Sequence, residues 1–126
     1  MKLRVQGNSL RLRISPSEMA RLLDAGRIEE TIVFGPEPDA KLTYALEHAA
    51  SDQCLSIRYR LQEVTVLLSS AEARKWAAGE QVGISDEVSA GSARLSLLVE
   101  KDFACLDRKG REKEDTFPNP KGGAAC

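Results

Sequence analysis

A chain of 126 residues, 42% apolar and 29% charged, has the size and make-up of one ordinary globular domain with a core of its own. Its net charge of −1 argues against a generic polyanion binder, which needs many uncompensated Lys and Arg, so nucleic acid is disfavoured as a partner. No apolar run suits a membrane span and the first residues read as a strand rather than a signal peptide, so no membrane partner is expected and a bacterial, cytoplasmic setting is the default.

Lys2 to Gln6 is the first predicted strand, and Gly7-Asn8 turns it into a second over Ser9 to Ser15. Leu10, Leu12 and Ile14 alternate there with Arg11 and Arg13, the period of a strand with one buried face. Ser15-Pro16-Ser17-Glu18 reads as a capping box with proline at the first helical position. Met19, Leu22 and Leu23 then follow at helical spacing, and Gly26 supplies a left-handed stop. Ile28 to Phe34 is a strand rich in β-branched residues, Gly35 to Asp39 a proline-containing loop, and Lys41 to Glu47 a returning strand. Ala49 to Gln53 is a polar connection.

From Leu55 the same order begins again. Leu55 to Arg60 and Glu63 to Leu68 are strands, Ser69-Ser70-Ala71-Glu72 repeats Ser-x-x-Glu, and Ala73, Trp76 and Ala77 form an apolar stripe that Gly79 ends. Gln81 to Ser85 reads as a weak strand, Asp86 to Ser92 as a polar loop, and Arg94 to Lys101 as the strongest strand of the chain. Residue n matches n+54 up to the helix and n+53 from Ala25 onward, with Leu22 set against Trp76 and Glu47 against Glu100. The expected architecture is α+β: two duplicated ββαββ units, about eight antiparallel strands in a curved sheet or barrel, and two helices. Two smaller sheets related by a pseudo-twofold axis are the alternative. One duplicated domain is expected over 1–106, with halves 1–48 and 55–102. The charged, Gly-containing run from Asp107 and the rest of 107–126 form a polar, partly disordered tail in which Phe117 can tuck its ring against the body.

No catalytic, metal or cofactor signature of any specificity is present, so enzyme activity and cofactors are left undecided. Arg4, Arg11, Arg13, Arg58 and Arg60 fall opposite the apolar residues of their strands, and Glu47 and Glu100 opposite theirs. If the strands curl, these groups converge into an anion site for a phosphate or nucleotide, with Glu47 and Glu100 available for a metal. The plainer reading is a water-facing sheet surface laced by cross-strand ion pairs. His48 lacks any ligand spacing with Cys54, Cys105 or Asp102, and the odd set Cys54, Cys105 and Cys126 fits reduced thiols better than a disulfide framework. The expected function is therefore binding or interaction, including a homodimer. The alternative is a binder or hydrolase of an anionic small molecule such as a phosphorylated metabolite or nucleotide.

The expected duplication resembles the triphosphate tunnel (CYTH-like) phosphatases at the level of fold. That resemblance implies an eight-stranded tunnel, although their Glu-x-Glu-x-Lys strand is replaced by Lys2-Leu3-Arg4-Val5-Gln6 and no catalytic residue carries over. The words NSLRLR (Asn8 to Arg13), SEMARL (Ser17 to Leu22), YALE (Tyr44 to Glu47), VEKDFACL (Val99 to Leu106) and FPNP (Phe117 to Pro120) make the chain similar to a family of small uncharacterised bacterial proteins. That resemblance spans Met1 to about Pro120 and implies no activity.

Overall fold

Where apolar and polar residues alternate the chain forms strands, and where Ser-x-x-Glu precedes an apolar pair at i, i+3 it forms helices. The computed structural model describes residues 1–103, 117 and 118. In chain order these hold β1 (Lys2–Gln6), β2 (Ser9–Ile14), α1 (Pro16–Ala25), β3 (Arg27–Val33), β4 (Lys41–Ala49), β5 (Leu55–Arg60), β6 (Glu63–Ser69), α2 (Ser70–Ala78), β7 (Gly83–Ala90) and β8 (Ala93–Lys101). The tail expected over 107–126 lies outside the described residues except for Phe117 and Pro118, as do Cys105 and Cys126.

The eight strands do not form one antiparallel sheet or a barrel. They make two four-stranded mixed sheets, β1-β2-β8-β7 and β3-β4-β6-β5, whose central pairs β2–β8 and β4–β6 are parallel. The reason lies in the helices: α1 carries the chain from β2 in the first sheet to β3 in the second, and α2 carries it back from β6 to β7. Each sheet therefore joins one hairpin from each half of the chain, and the closed tunnel implied by the fold-level resemblance is not formed. Exchanging β1 with β5, β2 with β6, β3 with β7 and β4 with β8 converts one strand order into the other.

The registers carry the same exchange and correct its offsets. Arg13 faces Glu100 across β2–β8, and Leu67 faces Glu47 across β6–β4, as offsets of 54 and 53 require. Between the helix and the following hairpin the offset is 56, because Arg27 pairs with Glu47 where Gly83 pairs with Glu100. Residues Glu80 to Val82 supply the extra length, and the shorter β7–β8 turn takes it back. Strand β7 also runs on to Ala90 through the stretch expected to be a loop. As an edge strand it needs only Ile84 and Val88 on its inner side, so polar Ser85, Glu87 and Ser89 are compatible with pairing.

One core lies between the sheets and helices. Leu12, Ile14, Leu97 and Val99 contribute from the first sheet, Tyr44, Leu46, Leu55, Val66 and Leu68 from the second, and Met19, Leu22, Ala73 and Trp76 from the helices. The first helix carries the full capping box: the Ser15 hydroxyl accepts from the Glu18 N–H, and the Glu18 carboxylate accepts from the Ser15 N–H. The second keeps only half. Ser69 accepts from the Glu72 N–H, but its own N–H goes to the Cys54 carbonyl and Gly79 leaves the helix extended rather than left-handed.

Candidate anion-binding face

The outer side of the first sheet is a grid that the register defines. Its rows, read across β1, β2, β8 and β7, are Lys2, Arg13, Glu100, Gly83, then Arg4, Arg11, Leu98, Ser85, then Gln6, Ser9, Ser96, Glu87. These rows hold four cations and two carboxylates, and the Ser89–Arg94 row beyond them adds a fifth cation, which pairs with Glu87. The corresponding side of the second sheet, read across β5, β6, β4 and β3, holds Ser56, Leu67, Glu47, Arg27, then Arg58, Thr65, Ala45, Glu29, then Arg60, Glu63, Thr43, Thr31. These rows hold three cations and three carboxylates, and the Val33–Lys41 row beyond them adds a fourth cation.

Ion pairing follows this difference. In the first sheet Glu100 takes Arg11 at 3.4 Å and Arg13 at 3.0 Å, so one carboxylate serves two guanidinium groups. A Cβ at Gly83 would stand 2.6 Å from the Val99 carbonyl oxygen and 3.0 Å from the Glu100 Cβ, so glycine is what lets β7 lie close beside Glu100. Lys2 turns to Asp102 at 2.9 Å. Arg4, exposed at the sheet edge, has no hydrogen-bond or ion-pair partner among the described residues. A recess of about 180 Å³ is lined by Lys2, Leu3, Arg4, Arg11 and Arg13.

In the second sheet Arg27 is the organiser. Its guanidinium reaches Glu29 at 2.9 Å, Glu47 at 2.9 Å and Glu63 at 3.1 Å, and Arg58 adds a 3.5 Å contact to Glu47. Burial works against its charge, but the three carboxylates outweigh it and hold the Arg27 pKa above its ordinary value. These side chains roof Thr65 and Ala45, which are fully buried on the outer side. Sequence reasoning passed over Arg27, although its alternation with Glu29 and Thr31 against Ile28 and Ile32 marks the same polar face.

The sequence-derived set is thus split. Arg4, Arg11, Arg13 and Glu100 share one sheet, Arg58, Arg60 and Glu47 the other, and neither carboxylate meets the other's arginines. Among the described residues no group of three or more His, Cys, Asp and Glu is placed to hold a metal ion. His48 Nδ1 lies 2.8 Å from the Ser70 hydroxyl. The Cys54 thiol is free and donates to Glu72 at 3.6 Å; burial, then the Glu72 charge, push its pKa up, which makes it a poor nucleophile. Phe117 does pack against the body, edge-on to Phe103 and 5.4 Å from the Lys101 ammonium.

These features define an α+β protein of two mixed sheets around one core, with the larger cationic excess on the outer face of the first sheet. The chain belongs to a family of unknown function (DUF7009), whose model matches residues 1–121. No curated protein and no solved structure matches it. Among the described residues no helix is long and apolar enough to cross a membrane.

Proposed function

We propose that the protein is a binding module that takes a small anion on the outer face of its first sheet, through Arg4, Arg11 and Arg13. Arg4 is the observation that carries this reading: it pairs in register with Arg11, lines the same recess as Lys2 and Arg13, and faces no carboxylate. Glu100 orients two guanidinium forks while the third stays open, and planar forks match the oxygens of a phosphoryl or carboxylate group. In the equivalent row of the second sheet Arg58 stands beside Thr65 and reaches Glu47 at 3.5 Å, so it is not left open as Arg4 is. Inorganic phosphate, titrated at matched ionic strength, should raise the melting temperature of the wild type. Arg4→Gln should abolish the rise and Arg60→Gln, on the other sheet, should keep it. Equal responses in all three proteins would defeat the proposal.

A second reading, association of two copies, is favoured by the end of the second sheet, where Ile32, Phe34, Tyr59 and Leu61 are 39%, 68%, 69% and 81% exposed. Sedimentation that stays monomeric with concentration, alike for wild type and Phe34→Asp, would remove it. We further read the halves as products of a duplication, supported by the interchange of the strand orders and registers.

A further inference from the structure

We infer that the anion site continues into a second recess and that its ligand is a sugar monophosphate, an inference that rests on the anion reading above. The second recess, about 400 Å³, lies on the same outer face across β2, β8 and β7, and its wall includes Ser9, Arg11, Ser85, Glu87, Ser96 and Leu98. Arg11 lines both recesses, so a group held by the arginines lies next to this second space. Its volume falls within the range of about 300–1,000 Å³ of small-molecule sites.

The chemistry of the second recess differs from that of the first. Three serine hydroxyls and one carboxylate surround the half-buried aliphatic floor of Leu98. Glu87 is already oriented, one oxygen accepting from Arg94 at 3.0 Å and the other from Ser96 at 3.4 Å, and each oxygen keeps a lone pair for an incoming hydroxyl. A neutral polyol suits this lining, because its hydroxyls donate to the carboxylate and exchange hydrogen bonds with serine while a C–H face covers Leu98. Arg94 is already engaged by Glu87 and the lining of this recess adds no cation beyond Arg11, so a second phosphoryl group finds no free partner there, which favours a monophosphate over a bisphosphate or polyphosphate. None of the grid residues is aromatic, so a nucleobase finds no ring on which to stack.

The test uses inorganic phosphate, glucose and glucose 6-phosphate as probes in calorimetric titrations of the intact chain. In the wild type glucose 6-phosphate should bind roughly tenfold or more tightly than inorganic phosphate, the return of a hydrogen bond to a charged acceptor, and glucose alone should bind far more weakly. Glu87→Ala should erase that advantage and leave inorganic phosphate unchanged. Arg4→Gln should weaken both phosphates. Equal affinities of the two phosphates in the wild type, or a Glu87→Ala variant that keeps the advantage, would overturn the sugar assignment and leave the anion site standing. Binding of neither phosphate would overturn both. Unchanged melting temperatures of the two variants without ligand confirm that each is folded.

Discussion

Leu22 and Trp76 sit at corresponding turns of the two helices, and both are withdrawn from solvent into one core. Their neighbours one turn earlier compensate in size: Met19 stands beside Leu22, whereas Ala73 stands beside Trp76. Trp76→Ala should cost about 3–5 kcal/mol in urea denaturation, since it removes a fully buried ring together with the indole N–H bond to the Val82 carbonyl. Ala73→Met alone should overpack the site and Trp76→Leu alone should leave a void. Their combination should destabilise by less than the sum of the two, which a double-mutant cycle measures directly. Lys101 poses a different problem. Only 6% exposed, its ammonium donates to the Gly79 carbonyl at 2.8 Å, and burial lowers its pKa below the ordinary 10.5. The folded protein then releases this proton at lower pH than the unfolded chain does. Wild-type stability should therefore gain on that of Lys101→Met as pH rises through the window just below 10.5. A difference independent of pH across that range would contradict the burial argument.

The elements show how local signals become unequal devices. Glu18 closes the capping box of α1 and also receives the Met1 ammonium, whose second contact is Glu30 at 2.6 Å. Burial alone would raise the Glu18 pKa; the ammonium and the Ser15 groups outweigh it and lower the value below the ordinary 4.5. That stabilisation is complete above pH 4.5 and is lost as pH falls through the depressed folded value. Glu18→Gln should thus destabilise the protein at neutral pH by more than Glu72→Gln, and the gap should close in acid. The two first hairpins differ as well. At Gly7-Asn8 only the glycine takes positive φ, while at the equivalent turn Leu61 and Gln62 adopt φ of 48° and 62°. Left-handed conformation costs a non-glycine residue about 1–2 kcal/mol, so Leu61→Asn with Gln62→Gly should stabilise the protein by about 1 kcal/mol in chemical denaturation. Helices and hairpins were legible in the sequence because their signals are local: a capping serine, a turn glycine, an apolar period. β7 was half missed because an edge strand with a wet outer face asks for only two inward apolar residues.

At the scale of the molecule, legibility ends where the parallel pairs begin. Periodicity placed Arg11, Arg13 and Glu100 on polar faces, but only the β2–β8 register brings the three together. The same limit hid the division of the seven proposed side chains between two sheets. Because each sheet takes one hairpin from each half, fragments 1–50 and 51–126 would each expose central strands without their parallel partners. Neither fragment should give a cooperative melt alone, and an equimolar mixture should recover one. A stable fold in either fragment by itself would show that the shared core is dispensable.

The strands of the second sheet, β3 to β6, are consecutive in the chain, whereas the first sheet is made from the strands that flank them. Its central contact between Arg13 and Glu100 spans 87 positions. Thr43 and Glu63, which face each other across the other central pair, are far closer in sequence. Loop-closure entropy favours the shorter closure, so the inner segment should collapse first and the flanking sheet should assemble upon it. Pulse-labelled hydrogen exchange during refolding should protect the amides of β4 and β6 before those of β2 and β8. The arginine grid would then be among the last surfaces to exist, and a nascent chain would present it only after β8 had been made.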